Sequence, residues 1–192
     1  LWRNIISAEI LICQFAGYHS FLPVLFGKIF NKPSVIIVGG TDCTSMPSIN
    51  YGNLRKPLLR WFTLNSLKYA THIISPSISL VECDYTYSTQ DFPRQGFRSF
   101  DKSIKTPYSI IFNGVDTSHF RPGAMSLRRE NSFLTICANI DKRNFSLKGI
   151  DLFVAVAEHF PDCEFTIIGK VAAGFNLVLP DNVTLIGYVP HG

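Results

Sequence analysis

The feature that most constrains this chain is a recurrence: a short apolar run that stops at glycine or a polar turn, an amphipathic stretch, then another short run. Ala8 to Phe15 (AEILICQF) is bounded by Gly17. Ser34 to Val38 (SVIIV) stops at Gly39-Gly40-Thr41-Asp42, and His72 to Ser75 (HIIS) stops before Pro76. Ser132 to Ala138 (SFLTICA), Glu164 to Ile168 ending at Gly169, and Val183 to Ile186 ending at Gly187 repeat the pattern. Runs of this length between breakers read as buried strands rather than helices. Between them, Phe21, Val24, Leu25, Ile29 and Phe30 recur at helical spacing, with Pro23 in the first turn and Asn31-Lys32-Pro33 as the stop. Tyr18 to Ser20 reads as the loop before that helix. Leu54, Leu58, Trp61, Phe62 and Leu67 mark a second helix with Pro57 near its start, and Gly149 to Phe160 a third, with Ile150, Phe153, Val154, Ala157 and Phe160 on one face. Cys43 to Asn53 reads as a long loop, Pro76 to Tyr87 as a helix, and Gln90 to Pro107 as a polar loop. Strand, helix and strand within about 30 residues form a βαβ unit, and the crossover rule makes each the start of a parallel sheet. The fold class is therefore α/β, with parallel sheets flanked by helices.

Ile110 to Pro122 (IIFNGVDTSHFRP) divides the pattern. Three apolar residues run into Asn113-Gly114, a tight-turn signal, and Arg121-Pro122-Gly123 reads as a linker. The expected organisation is two α/β units, 1–121 and 122–192, joined by a hinge with a cleft between them.

At 192 residues and 46% hydrophobic, the chain has the composition of a globular protein and not of a disordered one. No apolar run approaches the ~20 residues of a spanning helix, and the sequence from Leu1 has no secretion signal. The five cysteines are odd in number, scattered and without a C-x-x-C pair, which argues against a disulfide framework and a zinc site and for reduced thiols in the cytosol. The net charge of +4 is modest, but Arg55, Lys56, Arg60 and Lys68 share one segment. Such a basic amphipathic helix suits an anionic ligand, peripheral contact with an anionic membrane face, or ordinary solvation. No G-x-G-x-x-G follows a predicted strand, which disfavours a dinucleotide oxidoreductase.

In parallel α/β sheets the loops leaving the carboxyl ends of the strands line the ligand site. His19 and Gly39 to Asp42 share one such edge. The glycines let backbone approach a ligand, and Asp42 either orients a hydroxyl or caps the next segment. In the second unit Asn139 to Lys148 (NIDKRNFSLK) lies between strand and helix. A cation is disfavoured at a helix amino end, yet Lys148 stands there. A bound phosphate would remove the conflict, with Lys142 and Arg143 able to join it; otherwise the lysine swings into water.

Together these segments resemble a family 4 glycosyltransferase of the GT-B fold, in which two Rossmann-like domains face across a cleft. Ile110 to Pro122 is similar to that family's hinge signature (apolar run, N-G-V-D, then F-x-P), Lys148-Gly149-Ile150-Asp151 to its K-G-x-D, Phe165 to Gly169 to the strand that follows, and Ser34 to Asp42 to the strand ending in H-G-T-D. The resemblance covers almost the whole chain. It implies transfer of a sugar from a nucleotide-diphosphate sugar to a glycan or lipid-linked acceptor, with retention of configuration and no metal or other cofactor. By the resemblance, 1–121 is the carboxyl-terminal part of the acceptor-side domain and 122–192 the first part of the donor domain, both incomplete. Lys148, Arg143 and Asn139 would then hold the donor diphosphate and Gly169 and Lys170 a donor-side loop. His19, Gly39, Gly40 and Asp42 would line the acceptor-side cleft, and Asn113, Gly114 and Asp116 the hinge. Two departures stand out. The family's histidine before G-T-D is Gly39, with His19 the available substitute, and its arginine after the first donor-domain strand is replaced by Asn139, with Arg143 the available substitute. The family's catalytic glutamate pair would lie beyond Gly192 and its glycine-rich loop before Leu1, so the expected object is a fragment of a cytoplasmic enzyme working at the inner membrane face, without nucleic acid. The competing expectation is a non-catalytic nucleotide- or sugar-binding module of the same fold.

Overall fold

The structure is a computed structural model and describes residues 2–121 and 129–189. The chain divides into two compact units, Leu1–Val115 and Asp116–Gly192, so the border falls inside the Ile110 to Pro122 stretch.

The first unit runs α1 (Trp2–Ser7), β1 (Leu11–Gln14), α2 (Tyr18–Ile29), β2 (Ser34–Ile37), α3 (Gly40–Cys43), α4 (Pro57–Tyr69), β3 (His72–Ser75), β4 (Cys83–Asp84), β5 (Arg94–Gln95), α5 (Phe97–Phe100) and β6 (Tyr108–Ile110). Strands β1, β2, β3 and β6 form one parallel sheet in that order, while β4 and β5 pair antiparallel as a separate ribbon. The register aligns Cys13, Ile36, Ile73 and Tyr108 across the sheet. Ile36 and Ile73 are fully buried in one core with Val24 of α2 and Leu64 and Leu67 of α4. At the heart of the α2–α4 contact two buried serines replace large side chains, Ser20 Oγ donating to Ser66 Oγ at 3.0 Å.

The second unit runs β7 (Ser132–Ile140), α6 (Lys142–Leu147), α7 (Ile150–His159), β8 (Glu164–Val171) and β9 (Val183–Ile186), its strands forming a parallel sheet in the order β7-β8-β9. Phe165, Ile167 and Val183 meet Ile150, Val154 and Ala157 of α7 in its core. Phe153 packs edge-on against Phe165 at 5.2 Å.

Several expectations need correction. Tyr18 to Ser20 is the first turn of α2, not a loop, because Gly17 N–H donates to Ser20 Oγ at 2.9 Å and starts the helix there. Pro76 to Tyr87 is not a helix. It holds a 3-10 turn at Ile78–Leu80 and then β4, since Ser75, Ser77 and Ser79 spend their hydroxyls on one another and on local backbone (2.7 Å for Ser75 Oγ to Ser77 O and for Ser77 Oγ to Ser79 Oγ). Gln90 to Pro107 is more than a loop, holding β5, α5 and the fully buried Phe97. Asn113-Gly114 forms no turn. The chain turns at Asp116, whose carbonyl accepts Phe120 N–H at 2.8 Å and whose Oδ1 accepts Ser118 N–H at 2.9 Å. Finally, β8 does not stop at Gly169: Gly169 and Lys170 lie within the strand, so they form no donor-side loop.

Candidate functional site

The parallel sheet of the first unit puts the carboxyl ends of β1 and β2 side by side, and three contacts stitch their loops together. Phe15 N–H donates to Ile37 O at 2.8 Å. Asp42 is fully buried, one carboxylate oxygen accepting Ala16 N–H at 2.7 Å and the other Gly39 N–H at 2.8 Å. Of the two roles open to it, Asp42 takes the cap. Burial pushes its carboxyl up to about 6, against the pull of the two N–H groups, which favour the ionised form. His19, in the first turn of α2, is exposed, and its Nε2 lies 3.0 Å from Gln14 O at the end of β1. His19, Gly39, Gly40 and Asp42 thus share one edge, with Asp42 beneath it.

The third contact is one that sequence reasoning missed. Phe15 has φ +66°, a left-handed conformation that a bulky residue adopts only when its surroundings impose it. Its ring occupies the space a side chain on residue 39 would need: a Cβ there would lie 2.5 Å from Phe15 Cε1. The absence of histidine at position 39 and the unusual Phe15 are one packing solution. No sequence signal marks it, because a phenylalanine after an apolar strand reads as more strand. Tyr51 was also missed; its hydroxyl lies 3.1 Å from Thr41 Oγ1 above Gly40.

In the second unit Asn139 to Lys148 is not a loop but the end of β7 and all of α6. Asp141 caps α6, Oδ1 accepting Asn144 N–H at 2.7 Å, and Oδ2 accepts Asn139 Nδ2 at 3.0 Å. The Asn139 amide is therefore committed to Asp141. Lys148 closes α6, its N–H bonded to Asn144 O at 2.9 Å, and Gly149 (φ +66°) turns the chain into α7. Lys148 lies at the favourable carboxyl end of α6 as well as the unfavourable amino end of α7, so its charge is not in conflict with the backbone. Arg143 is exposed in the first turn of α6, and five residues of helix put it about 140° around from Lys148. The structure pairs Asn139 with Lys170 across β7 and β8, both exposed at the carboxyl edge.

Asn113, Gly114 and Asp116 are all exposed, and Ser118 donors hold the Asp116 carboxyl below its usual range. Among the described residues no group of three or more His, Cys, Asp or Glu side chains is placed to hold a metal ion, and no helix is long and apolar enough to cross a membrane. No protein-family model and no curated protein matches the chain.

Proposed function

We propose that the chain is part of a retaining glycosyltransferase of GT-B architecture, transferring a sugar from a nucleotide-diphosphate sugar to a glycan or lipid-linked acceptor at the cytoplasmic face of a membrane. The observation that carries this reading is the K-G-x-D segment. Lys148 is exposed directly before a left-handed glycine and the first turn of the ten-residue α7, at the carboxyl edge of a parallel sheet. A diphosphate would meet a cation there as charge builds on the leaving nucleotide, which supports the reading. The edge bearing His19, Gly39 and Gly40 in the first unit is the acceptor side of the same reading.

The test is binding before turnover. Calorimetric titration with the uridine, guanosine and adenosine diphosphates should find one that binds, and Lys148→Ala should weaken it by about tenfold, the worth of one charge-assisted contact. Unchanged affinity in that variant removes Lys148 from the site. A non-catalytic module would show the same Lys148 dependence yet release no nucleoside diphosphate from any nucleotide sugar supplied to the whole protein with acceptor.

A further inference from the structure

We infer that the paired helices α2 and α4 form a docking face for an anionic lipid surface. The two pack together through the Phe62 ring, 5.0 Å from Tyr18 and 5.1 Å from Phe21, and through Lys28, whose Nζ lies 4.6 Å from the centre of the Tyr69 ring. Helical spacing puts Tyr18, Leu22, Leu25 and Ile29 in one stripe along α2, turned away from the buried Ser20, Val24 and Gly27. Tyr18, Leu22 and Ile29 are exposed. On α4, Leu58 and Trp61 are 64% and 53% exposed, opposite the buried Thr63 and Leu67. The Phe21 ring, 5.2 Å from Trp61, joins the two stripes. A helix packed on a sheet ordinarily gives its outer side to charged and polar residues. Here the outer sides of two neighbouring helices are largely apolar.

The charge around these residues has one sign. From Ile10 to Val81 the sequence carries Lys28, Lys32, Arg55, Lys56, Arg60 and Lys68 against a single acid, Asp42, which is fully buried. Neither helix contains a carboxylate. Asp101, from the segment after α5, faces Lys68 and Arg60 at the edge of α4 and offsets part of their charge. Lys28, Lys32 and Lys56 are in no ion pair among the described residues. This pattern decides between occupants. A second copy joined through a twofold axis would bring the same cations together, and a nucleic acid would leave Leu22, Ile29 and Leu58 in water. An anionic bilayer takes both halves of the face. Leucine and isoleucine enter the acyl boundary, Trp61 and Tyr18 suit headgroup depth, and the lysines reach the phosphates. The face supplies the contact for the membrane setting of the proposed function and rests on that setting, but owes nothing to glycosyl transfer or to Lys148.

Sedimentation of the whole chain with phosphatidylcholine vesicles, with and without phosphatidylglycerol, tests the face. The chain should pellet with the phosphatidylglycerol vesicles, less with phosphatidylcholine alone, and less as salt is raised. Leu22→Ser with Leu58→Ser should weaken binding by about tenfold, and Lys28→Gln with Lys68→Gln by about fivefold for each charge. Lys142→Gln with Arg143→Gln removes the same charge from the second unit and should bind as the parent does, as should Lys148→Ala. Nucleoside diphosphate titrations should be the same for the parent and the serine pair, so loss of docking and loss of the donor site are told apart. Trp2→Phe leaves Trp61 as the sole reporter of two tryptophans. Phosphatidylcholine brominated along its acyl chains, mixed with phosphatidylglycerol, should quench Trp61, a readout that leaves the face itself unaltered. Docking on this face is refuted if the parent stays off the acidic vesicles or pellets equally with both kinds, or if the brominated chains leave Trp61 unquenched. It is refuted equally if either pair of substitutions on the face leaves binding unchanged, or if the Lys142 and Arg143 pair costs as much as the Lys28 and Lys68 pair. A parent that stays off the vesicles and forms dimers which the serine pair dissociates gives the face to a second copy. Matching urea midpoints for parent and variants exclude unfolding as the cause of any loss.

Discussion

Asp42 has a carboxyl group sealed from water between two loops, where its oxygens meet Ala16 N–H and Gly39 N–H. Desolvation wins over these two bonds and its carboxyl rises from the ordinary 3.8 to about 6. An acid with a higher pKa folded than unfolded holds its proton more tightly in the folded state. Its contribution to stability is therefore fully present below about pH 4 and is lost as the pH rises through about 6. The loss is of order 3 kcal/mol at most. Urea unfolding of the wild type at pH 4.5 and pH 7 should show this fall on top of the other titrations, and Asp42→Asn should flatten it. Asp42→Asn should also be less stable at pH 7, where the ionised carboxylate accepts both N–H groups and an amide has one oxygen to offer. Identical pH profiles would mean that Asp42 is not the source. At the same scale, Phe15 and Gly39 show why a single position resists interpretation from sequence: the missing side chain at 39 is explained only by a ring 24 residues away in the chain.

Among the elements, β8 shows most clearly how neighbouring backbone sets a residue. At Gly169 a Cβ would lie 1.9 Å from Cys137 O, where the register between β7 and β8 shifts. Glycine is there because the two backbones touch, not because a strand ends. Gly169→Ala should destabilise the second unit by about 3 kcal/mol or more, since the obstruction is a carbonyl and not a yielding side chain. A urea midpoint within error of the wild type would contradict the packing described here. The strands were legible because β-branched runs between breakers leave little choice, and β3 and β9 match their sequence boundaries to the residue. α6 was not legible. Lys142–Leu147 has little apolar periodicity, and the helix is started by Asp141, whose cap shows only in three dimensions. The carboxyl-edge positions of Lys148, Gly39 and Gly40 could be read from strand ends alone. The contact of Arg60 with Phe100 O could not, because Phe100 lies 40 residues further along the chain.

Across the whole molecule each parallel sheet is packed by helices on one face and bears exposed apolar residues on the other. In the first unit the register aligns Ile12 with Val35, and Ile12 is 65% exposed. In the second, Ile136, Ile168 and Ile186 align across the three strands, with Ile136 66% and the neighbouring Leu134 59% exposed. Parallel sheets are normally covered on both faces, and a contiguous apolar surface of this kind is sticky. The strands of both sheets also follow one another in chain order without reversal, so neither described sheet contains a switch point of the kind that opens a ligand crevice in doubly wound folds. Both units therefore depend on their loops and helix ends, rather than on a reversal in strand order, to build a site. The exposed faces make a direct prediction. The native chain should bind a hydrophobic dye such as anilinonaphthalene sulfonate while showing cooperative unfolding, and Ile136→Thr together with Leu134→Thr should lower that fluorescence markedly. Because both side chains are already more than half exposed, and threonine is at home in a strand, the urea midpoint should move little. Unchanged dye binding with the midpoint preserved would show that the row on β7 is not the surface the dye finds, leaving the face around Ile12 to be tested by the same substitution there.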